Sequence, residues 1–212
     1  ANIDRMYGKG INTGQTGRNA VDGSLKLAPS ASPSVTGTFR ALAILVQFSD
    51  KPSSVATTYF DSLLFDSSAN SVRNYYGEVS SGQLDIVTLN LPSVLGWRNA
   101  PQTYAWYVNT QNGTGPYPQN SQKLLEDLVD QVDALVDFSQ YDNDGDSFVD
   151  VVIMLHAGTG AEKTGSSNDI WSHKWSITPR YRDGVYISDY TIQPELWVVP
   201  NDMTIGVYCH EL

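Results

Sequence analysis

Three segments of the chain carry the hydrophobic pattern of buried β-strands. Residues 39–48 (FRALAILVQF) form an almost unbroken apolar run, which ends at the polar turn 49–52. A run of that length bounded by turn residues is typical of a strand buried on both faces. Residues 148–155 and 184–193 show similar runs and predict a second and a third strand. These three segments therefore predict the central strands of a β-sheet.

Helical spacing appears in four other segments. The clearest follows Asn120 or Ser121, either of which can cap a helix, and its apolar residues recur every three or four positions with acids between them. These apolar residues are Leu124, Leu125, Leu128, Val129, Val132, Leu135 and Val136. Residues 55–65 and 71–79 predict two earlier helices, and residues 204–212 begin another. The helix after Asn120 or Ser121 is interpreted as a packing helix.

The remaining segments divide the chain into a lead-in and one domain. Residues 1–38 are rich in Gly, Asn, Ser, Thr and Pro and predict an extended lead-in. Residues 82–90 alternate like a further strand, and the Gly-, Pro-, Asn- and Tyr-rich residues 91–118 predict a long, structured surface excursion. Strands interspersed with helices over residues 39–212 indicate the α/β class.

Composition narrows the function classes. The 212 residues include 13 Lys and Arg against 23 Asp and Glu, a net charge of −10, which repels phosphate backbones. The longest unbroken apolar run, residues 41–46, is far shorter than the roughly 20 residues that span a bilayer. We expect neither a nucleic-acid nor a membrane partner. Cys209 is the single cysteine, so no internal disulfide forms, and the low lysine content and acidic pI favour an exported protein.

Residues 142–150 (DNDGDSFVD) have the carboxylate spacing of a calcium loop. Asp142, Asp144, Asp146 and Asp150 occupy loop positions 1, 3, 5 and 9, and oxygen ligands at this spacing can wrap a calcium ion at about 2.3–2.6 Å. Ser147 replaces the glycine of the EF-hand pattern, and its bidentate glutamate is also missing, so this is not a true EF-hand. The alternative is a solvated acidic turn. We favour a structural calcium site, because four acids in nine residues would otherwise repel one another.

His210-Glu211, near the end of the given sequence, is by itself a dipeptide that chance supplies readily. Zincin chemistry needs two histidines one helical turn apart, with a glutamate beside the first. The second histidine would fall two residues beyond Leu212, so we expect the chain to be cut inside a zinc-binding helix. Cys209 is interpreted as a small buried residue, and both His156 and His173 as structural rather than ligating. Glu195 and Asp202 are candidates for a further cation site, although nothing fixes their geometry.

Several ordered blocks resemble the immune inhibitor A-like secreted metallopeptidases. They cover much of the chain between residue 39 and Leu212 and are more specific together than any single motif. The blocks are residues 45–50 (LVQFSD), 71–76 (SVRNYY), 80–84 (SSGQL), 141–150 (YDNDGDSFVD), 156–162 (HAGTGAE), 169–175 (DIWSHKW) and 209–212 (CHEL).

The resemblance implies a fold and a reaction. The implied fold is an α+β zincin-like domain, in which a mixed twisted sheet carries packing helices and an active-site helix beginning near residue 204. Residues 39–212 would be the N-terminal portion of the catalytic domain. The implied protein is a secreted zinc endopeptidase that cleaves protein or peptide substrates, with His210 as a zinc ligand and Glu211 as the general base acting on zinc-activated water.

The implied zinc site is incomplete in this chain, and two other functions stay open. One zinc ligand is present and the rest would lie in the C-terminal remainder of the protein, so we expect the 212 residues alone to be inactive. Structural calcium is implied as well. The alternatives are a calcium-stabilised secreted binding or adhesion module, and a zincin-like domain that has lost catalysis.

Overall fold

The computed structural model describes residues 36–68 and 70–212. The predicted lead-in over residues 1–38 lies almost wholly outside them, and the first described strand begins at Gly37. Among the described residues, no helix is both long enough and apolar enough to cross a bilayer.

Within the described residues, seven strands form two sheets. The larger sheet has five strands in the order β4-β2-β5-β7-β6, in which only the edge strand β6 is antiparallel to its neighbour, and β1 and β3 form a separate parallel pair. The strands are β1 (Gly37–Arg40), β2 (Leu42–Gln47), β3 (Leu84–Val87), β4 (Arg98–Asn99), β5 (Val152–Thr159), β6 (His173–Arg182) and β7 (Val185–Leu196). This mixed sheet with packed helices confirms the predicted α/β class.

In the part of the chain that the structure describes, seven α-helices accompany the sheets. They are α1 (Thr57–Phe65), α2 (Val72–Val79), α3 (Pro92–Leu95), α4 (Tyr104–Val108), α5 (Ser121–Val132), α6 (Ala161–Thr164) and α7 (Ile205–Glu211). A short 3₁₀ helix spans Phe138–Tyr141. The predicted cap of α5 is confirmed, because the Asn120 side chain accepts the Lys123 main-chain N–H at 3.1 Å.

The five-stranded sheet separates two apolar cores. Alternate residues of a strand face opposite sides, so Leu42 and Ile44 of β2 face one core and Ala43 and Leu45 face the other. The first core contains the apolar stripe of α5. The second lies beneath α1 and α7, and Tyr208 of α7 is buried in it. The helix that carries the candidate active-site residues therefore packs directly on the sheet.

Two predicted elements differ from the structure, and one strand was not predicted. The apolar run 39–48 is not one strand, because the chain leaves the small sheet at Arg40 and enters the large one at Leu42. The predicted structured excursion 91–118 does contain ordered elements, α3, β4 and α4, but it does not lie wholly at the surface, because Tyr104 and Tyr107 are buried. Its Gly and Pro residues punctuate short elements whose aromatic side chains fill the first core. Strand β6 was missed, because only one face of this edge strand is covered and its sequence is largely polar.

Candidate active site and metal loop

Helix α7 is held against the domain by hydrogen bonds from two tyrosines. The Tyr208 hydroxyl donates to the Pro194 carbonyl of β7 at 2.7 Å, and the Tyr76 hydroxyl of α2 donates to the Cys209 carbonyl at 3.0 Å. A helix of seven residues would be marginal alone, so these contacts and the burial of Tyr208 fix it. They set its orientation on the sheet.

The orientation of α7 gives its two candidate residues different environments. His210 is exposed, whereas Glu211 is half-buried. The pKa of the Glu211 carboxyl is raised, mainly by burial. The nearby Glu162 carboxylate also raises this pKa, and the His210 imidazole lowers it. Cys209 is also half-buried, and its burial raises the pKa of the thiol to about 11, which disfavours the thiolate that binds metals. Both His210 and Glu211 remain candidates for chemistry.

The two other histidines make hydrogen bonds within the domain. His156 is fully buried beside the Tyr104 ring, with ring centroids 5.8 Å apart, and its Nδ1–H donates to the Ala157 carbonyl. His173 donates from Nδ1 to the Trp171 carbonyl at 2.6 Å, while its Nε2 lies 2.9 Å from the Ser121 hydroxyl. Burial lowers the pKa of each ring to about 4. Both rings are therefore neutral at pH 7.

One residue near Glu211 was not singled out by its sequence. The Glu162 carboxylate, at the start of α6, accepts the Ser172 hydroxyl at 2.7 Å and the Ser172 main-chain N–H at 3.3 Å. Its position after the Gly-Thr-Gly turn that follows β5 was the available signal, since polar groups at the carboxyl ends of parallel strands meet at one edge of a sheet.

The aspartate loop brings together three of its four predicted ligands. Within residues 36–68 and 70–212, one group of at least three potential metal-binding side chains is found, namely Asp142, Asp144 and Asp146, whose carboxylate oxygens lie within 4.8 Å of one another. Two oxygens bound to one calcium ion at about 2.3–2.6 Å can be at most about 5 Å apart. The spacing fits a calcium ion, whose further ligands would be carbonyl or water oxygens.

Main-chain hydrogen bonds to Asp142 close the aspartate loop. Asp142 accepts the N–H groups of Gly145 at 2.8 Å and Ser147 at 3.0 Å, which close the turn around it. Ser147 occupies the left-handed region with φ of 72°, and Gly145 with φ of 79°. The serine that replaces the EF-hand glycine thus keeps a backbone conformation that glycine favours.

Asp150 lies outside this carboxylate group. Its Oδ2 accepts the Asn143 main-chain N–H at 2.8 Å and the Asn143 side-chain amide at 2.9 Å. The Asn143 amide in turn contacts the main chain of Arg40, the last residue of β1. These contacts connect the loop to the point where the chain passes between the two sheets.

Two other acidic candidates are occupied by hydrogen bonds. The buried Glu195 carboxylate accepts the Gly158 N–H at 2.9 Å and both the N–H and the hydroxyl of Ser54. Asp202 accepts main-chain N–H groups at the start of the loop that precedes α7, including that of Trp197 at 2.7 Å. Both carboxylates organise backbone, and neither belongs to the carboxylate group of the aspartate loop.

Comparison with known proteins decides the family. Residues 56–212 match the catalytic domain described as immune inhibitor A peptidase M6. The chain belongs to this family. The M6 match includes both the aspartate loop and α7, and it confirms the resemblance inferred from the sequence blocks.

A curated relative agrees with the M6 assignment. Immune inhibitor A of Bacillus thuringiensis subsp. alesti is 29% identical in an alignment of 172 residues. The alignment covers 66% of this chain and 23% of the relative. The chain thus spans less than a quarter of the length of that M6 relative.

Proposed function

We propose that this chain carries part of the active site of an extracellular zinc-dependent endopeptidase. In this proposal His210 is a zinc ligand, Glu211 is the general base, and Asp142, Asp144 and Asp146 hold a structural calcium ion. The substrates are proteins or peptides. The proposal rests mainly on one observation: the M6 catalytic-domain match contains α7, where an exposed histidine precedes a half-buried glutamate.

The residues of α7 suit the proposed zinc in donor type, although one histidine does not make a complete site. Imidazole nitrogen is a preferred zinc donor, and catalytic zinc sites use three protein ligands. Among the described residues His210 is the only exposed histidine, because His156 is buried and the half-buried His173 contacts the Ser121 hydroxyl. A bound zinc ion would supply Lewis-acid polarisation of the scissile carbonyl and would make water more acidic.

Glu211 is suited to move the proton. Its burial favours the neutral form and so brings its pKa closer to the pH at which a general base works best. In the proposed reaction Glu211 accepts a proton from the attacking water and delivers it to the amine of the leaving peptide. The bond broken is the peptide C–N bond, and one water molecule is consumed.

The proposed calcium ion would hold the aspartate loop in place. Asp142, Asp144 and Asp146 each place a carboxylate oxygen within 4.8 Å of the others, and a cation bound among them would offset their mutual repulsion. Calcium should therefore raise the melting temperature of the protein, and Asp144→Asn combined with Asp146→Asn should abolish that rise. If Asp150→Asn also abolishes it, Asp150 belongs to the ligand set as its spacing predicted.

The experiment that tests the enzyme requires the protein expressed from its complete reading frame. We expect it to cleave a denatured protein substrate, to lose activity with a zinc chelator and to regain it with added zinc. Glu211→Gln should abolish cleavage while leaving zinc content unchanged, and His210→Ala should lower zinc content. Glu78→Gln, which changes an exposed carboxylate on α2, is the matched control and should be active.

Residues 1–212 alone should be inactive and should bind zinc weakly, because the described part contributes one histidine ligand. Cleavage that resists chelation would contradict the proposal. A protein that binds zinc but cleaves nothing would instead be a zincin-like domain without catalysis.

The second candidate is a calcium-stabilised binding module. The observation that favours it is a row of exposed aromatic rings beside the aspartate loop, in which Phe148 and Tyr186 lie 5.3 Å apart and Tyr186 and Tyr181 lie 5.1 Å apart. Such a module would keep its activity after Glu211→Gln. Detection of the protein in the culture medium of its host tests the proposed secretion for either function.

A further inference from the structure

The regular pairing of strands β5 and β7 is interrupted near the end of β7. It stops at the pair His156 and Pro194, and it resumes three residues later on β5 but two residues later on β7. Strand β5 therefore contains one extra residue at this point, which makes a β-bulge. Gly158 lies in the bulge with φ of 86°, in the left-handed region that glycine tolerates. Bulges beside active sites commonly redirect the groups that follow them.

The carboxylate of Glu195 closes this bulge from the opposite strand. Glu195 is only 1% exposed, and its Oε1 accepts the Gly158 N–H at 2.9 Å. Its Oε2 accepts the main-chain N–H groups of Ser54 at 3.1 Å and Val55 at 3.3 Å. Hydrogen bonds to a carboxylate are about twice as strong as neutral ones. One side chain thus joins β7 to β5 and to the segment that precedes α1.

The peptide unit that precedes Glu195 carries an attachment point of α7. The Pro194 carbonyl belongs to the planar unit that ends at the Glu195 Cα atom. This carbonyl accepts the hydroxyl of the buried Tyr208 at 2.7 Å. Because the unit is rigid, the hydrogen bonds that hold Glu195 also fix the direction of the Pro194 carbonyl. Tyr208 lies two residues before His210 in α7.

We propose that Glu195 is a positioning residue for the zinc-binding helix: through the Pro194 carbonyl and the Tyr208 hydroxyl it sets the placement of α7, and so of His210. This inference rests on the proposed function, because it assumes that α7 binds zinc. Glu195 itself contacts no reacting atom. Its loss should shift α7 without detaching it, since the hydrogen bond from α2 to α7 remains.

Zinc affinity and cleavage by variants of the protein expressed from its complete reading frame test the proposal. Glu195→Gln replaces one accepting oxygen by an amide that cannot accept, and it should lower zinc affinity and kcat by about 10–100-fold, as loss of an outer partner of a metal site typically does. Tyr208→Phe removes only the hydroxyl and should act in the same direction. The double variant should lose no more than the more affected single variant, because both changes break the same connection.

Tyr107→Phe is the matched control. Tyr107 is also buried, in the first core, and its hydroxyl donates to the Asp127 carboxylate at 2.6 Å. This variant should lower the melting temperature but leave the zinc affinity and kcat of the folded protein unchanged. If it lowers zinc affinity as much as Tyr208→Phe does, a general loss of stability explains both effects and the inference is overturned.

Amide hydrogen exchange supplies a readout that depends on neither zinc nor activity. Glu195→Gln and Tyr208→Phe should both speed exchange of the α7 amides, while the amides of α5 keep their protection. Glu195→Asp, which keeps the charge but shortens the side chain, replaces Glu195→Gln if that variant does not fold, and the same changes are expected of it.

Three results would overturn the positioning role of Glu195. They are unchanged exchange in α7, a zinc affinity of the folded Glu195 variant within about twofold of wild type, and additive losses in the double variant. Absence of zinc-dependent cleavage by the wild-type protein would instead refute the proposed function. In that case the exchange of the α7 amides would still decide whether Glu195 holds the helix.

Discussion

The side-chain amide of Asn143 pairs with the main chain of Arg40. Asn143 Oδ1 accepts the Arg40 N–H at 2.7 Å, and Asn143 Nδ2 donates to the Arg40 carbonyl at 3.0 Å. Arg40 is the last residue of β1, and Ala41 separates it from β2, so the chain changes sheets at this point. Asn143 provides the two hydrogen bonds that a neighbouring strand would otherwise make, and Asp150 orients its amide.

Replacing Asn143 should therefore destabilise the whole domain. Asn143→Ala leaves the Arg40 N–H and carbonyl without these partners, and we expect the free energy of unfolding to fall by about 2 kcal/mol. Urea denaturation measures this change. Gln140→Ala is the control, because its exposed side chain makes only long contacts, with the Arg40 guanidinium and the Asp137 carboxylate, and its effect should be within about 0.5 kcal/mol. Equal effects of the two variants would contradict the role given to Asn143.

Replacing Ser147 by glycine should make the domain more stable. Its φ of 72° lies in the left-handed region, where a side chain costs about 1 kcal/mol and glycine is tolerated. Ser147→Gly should stabilise the domain by about 0.5–1 kcal/mol in thermal unfolding, and Ser147→Val should destabilise it. A lower melting temperature for Ser147→Gly would mean that the loop adopts another conformation.

The buried histidines should make stability depend on pH. Burial lowers the pKa of His156 to about 4, whereas an unfolded histidine titrates near 6.5. Between these values the unfolded state binds more protons, so stability is full above about pH 6.5 and falls by up to about 1.4 kcal/mol for each pH unit below it. His173 contributes in the same direction.

Urea denaturation at pH 7 and pH 5 measures this dependence. His156→Gln removes one titrating group and should reduce the loss of stability between the two pH values, even though the variant is itself less stable. If His156→Gln shows the same pH dependence as the wild-type protein, the pKa of His156 is the same in the folded and unfolded states.

Elements with strong periodicity could be predicted from the sequence. Helix α5 was recognisable because its apolar stripe and its Asn120 cap are both local signals. Strands β2 and β5 were recognisable because both of their faces are buried. Strand β6 was not, because its pairing with β7 is a tertiary contact that its polar sequence does not encode. Tyr104 and Tyr107 were hidden among turn residues, although they pack in the core.

Part of the candidate site was also accessible from sequence. The spacing of Asp142, Asp144 and Asp146 implied that their carboxylates converge, and they do. The contact of Asp150 with Asn143 could not be foreseen, because spacing along a loop does not say which way a side chain near a strand points. The Glu162–Ser172 contact joins residues ten apart through a turn, and no local pattern marks it.

Cleavage of a protein substrate by wild type and Glu211→Gln, each expressed from the complete reading frame and loaded with the same amount of zinc, tests the central claim most directly. Loss of the general base should reduce kcat by at least about 100-fold, at the lower end of general-base contributions, with zinc content unchanged. Equal cleavage by the two proteins would contradict the account, because the half-buried carboxylate of α7 would then have no part in the reaction.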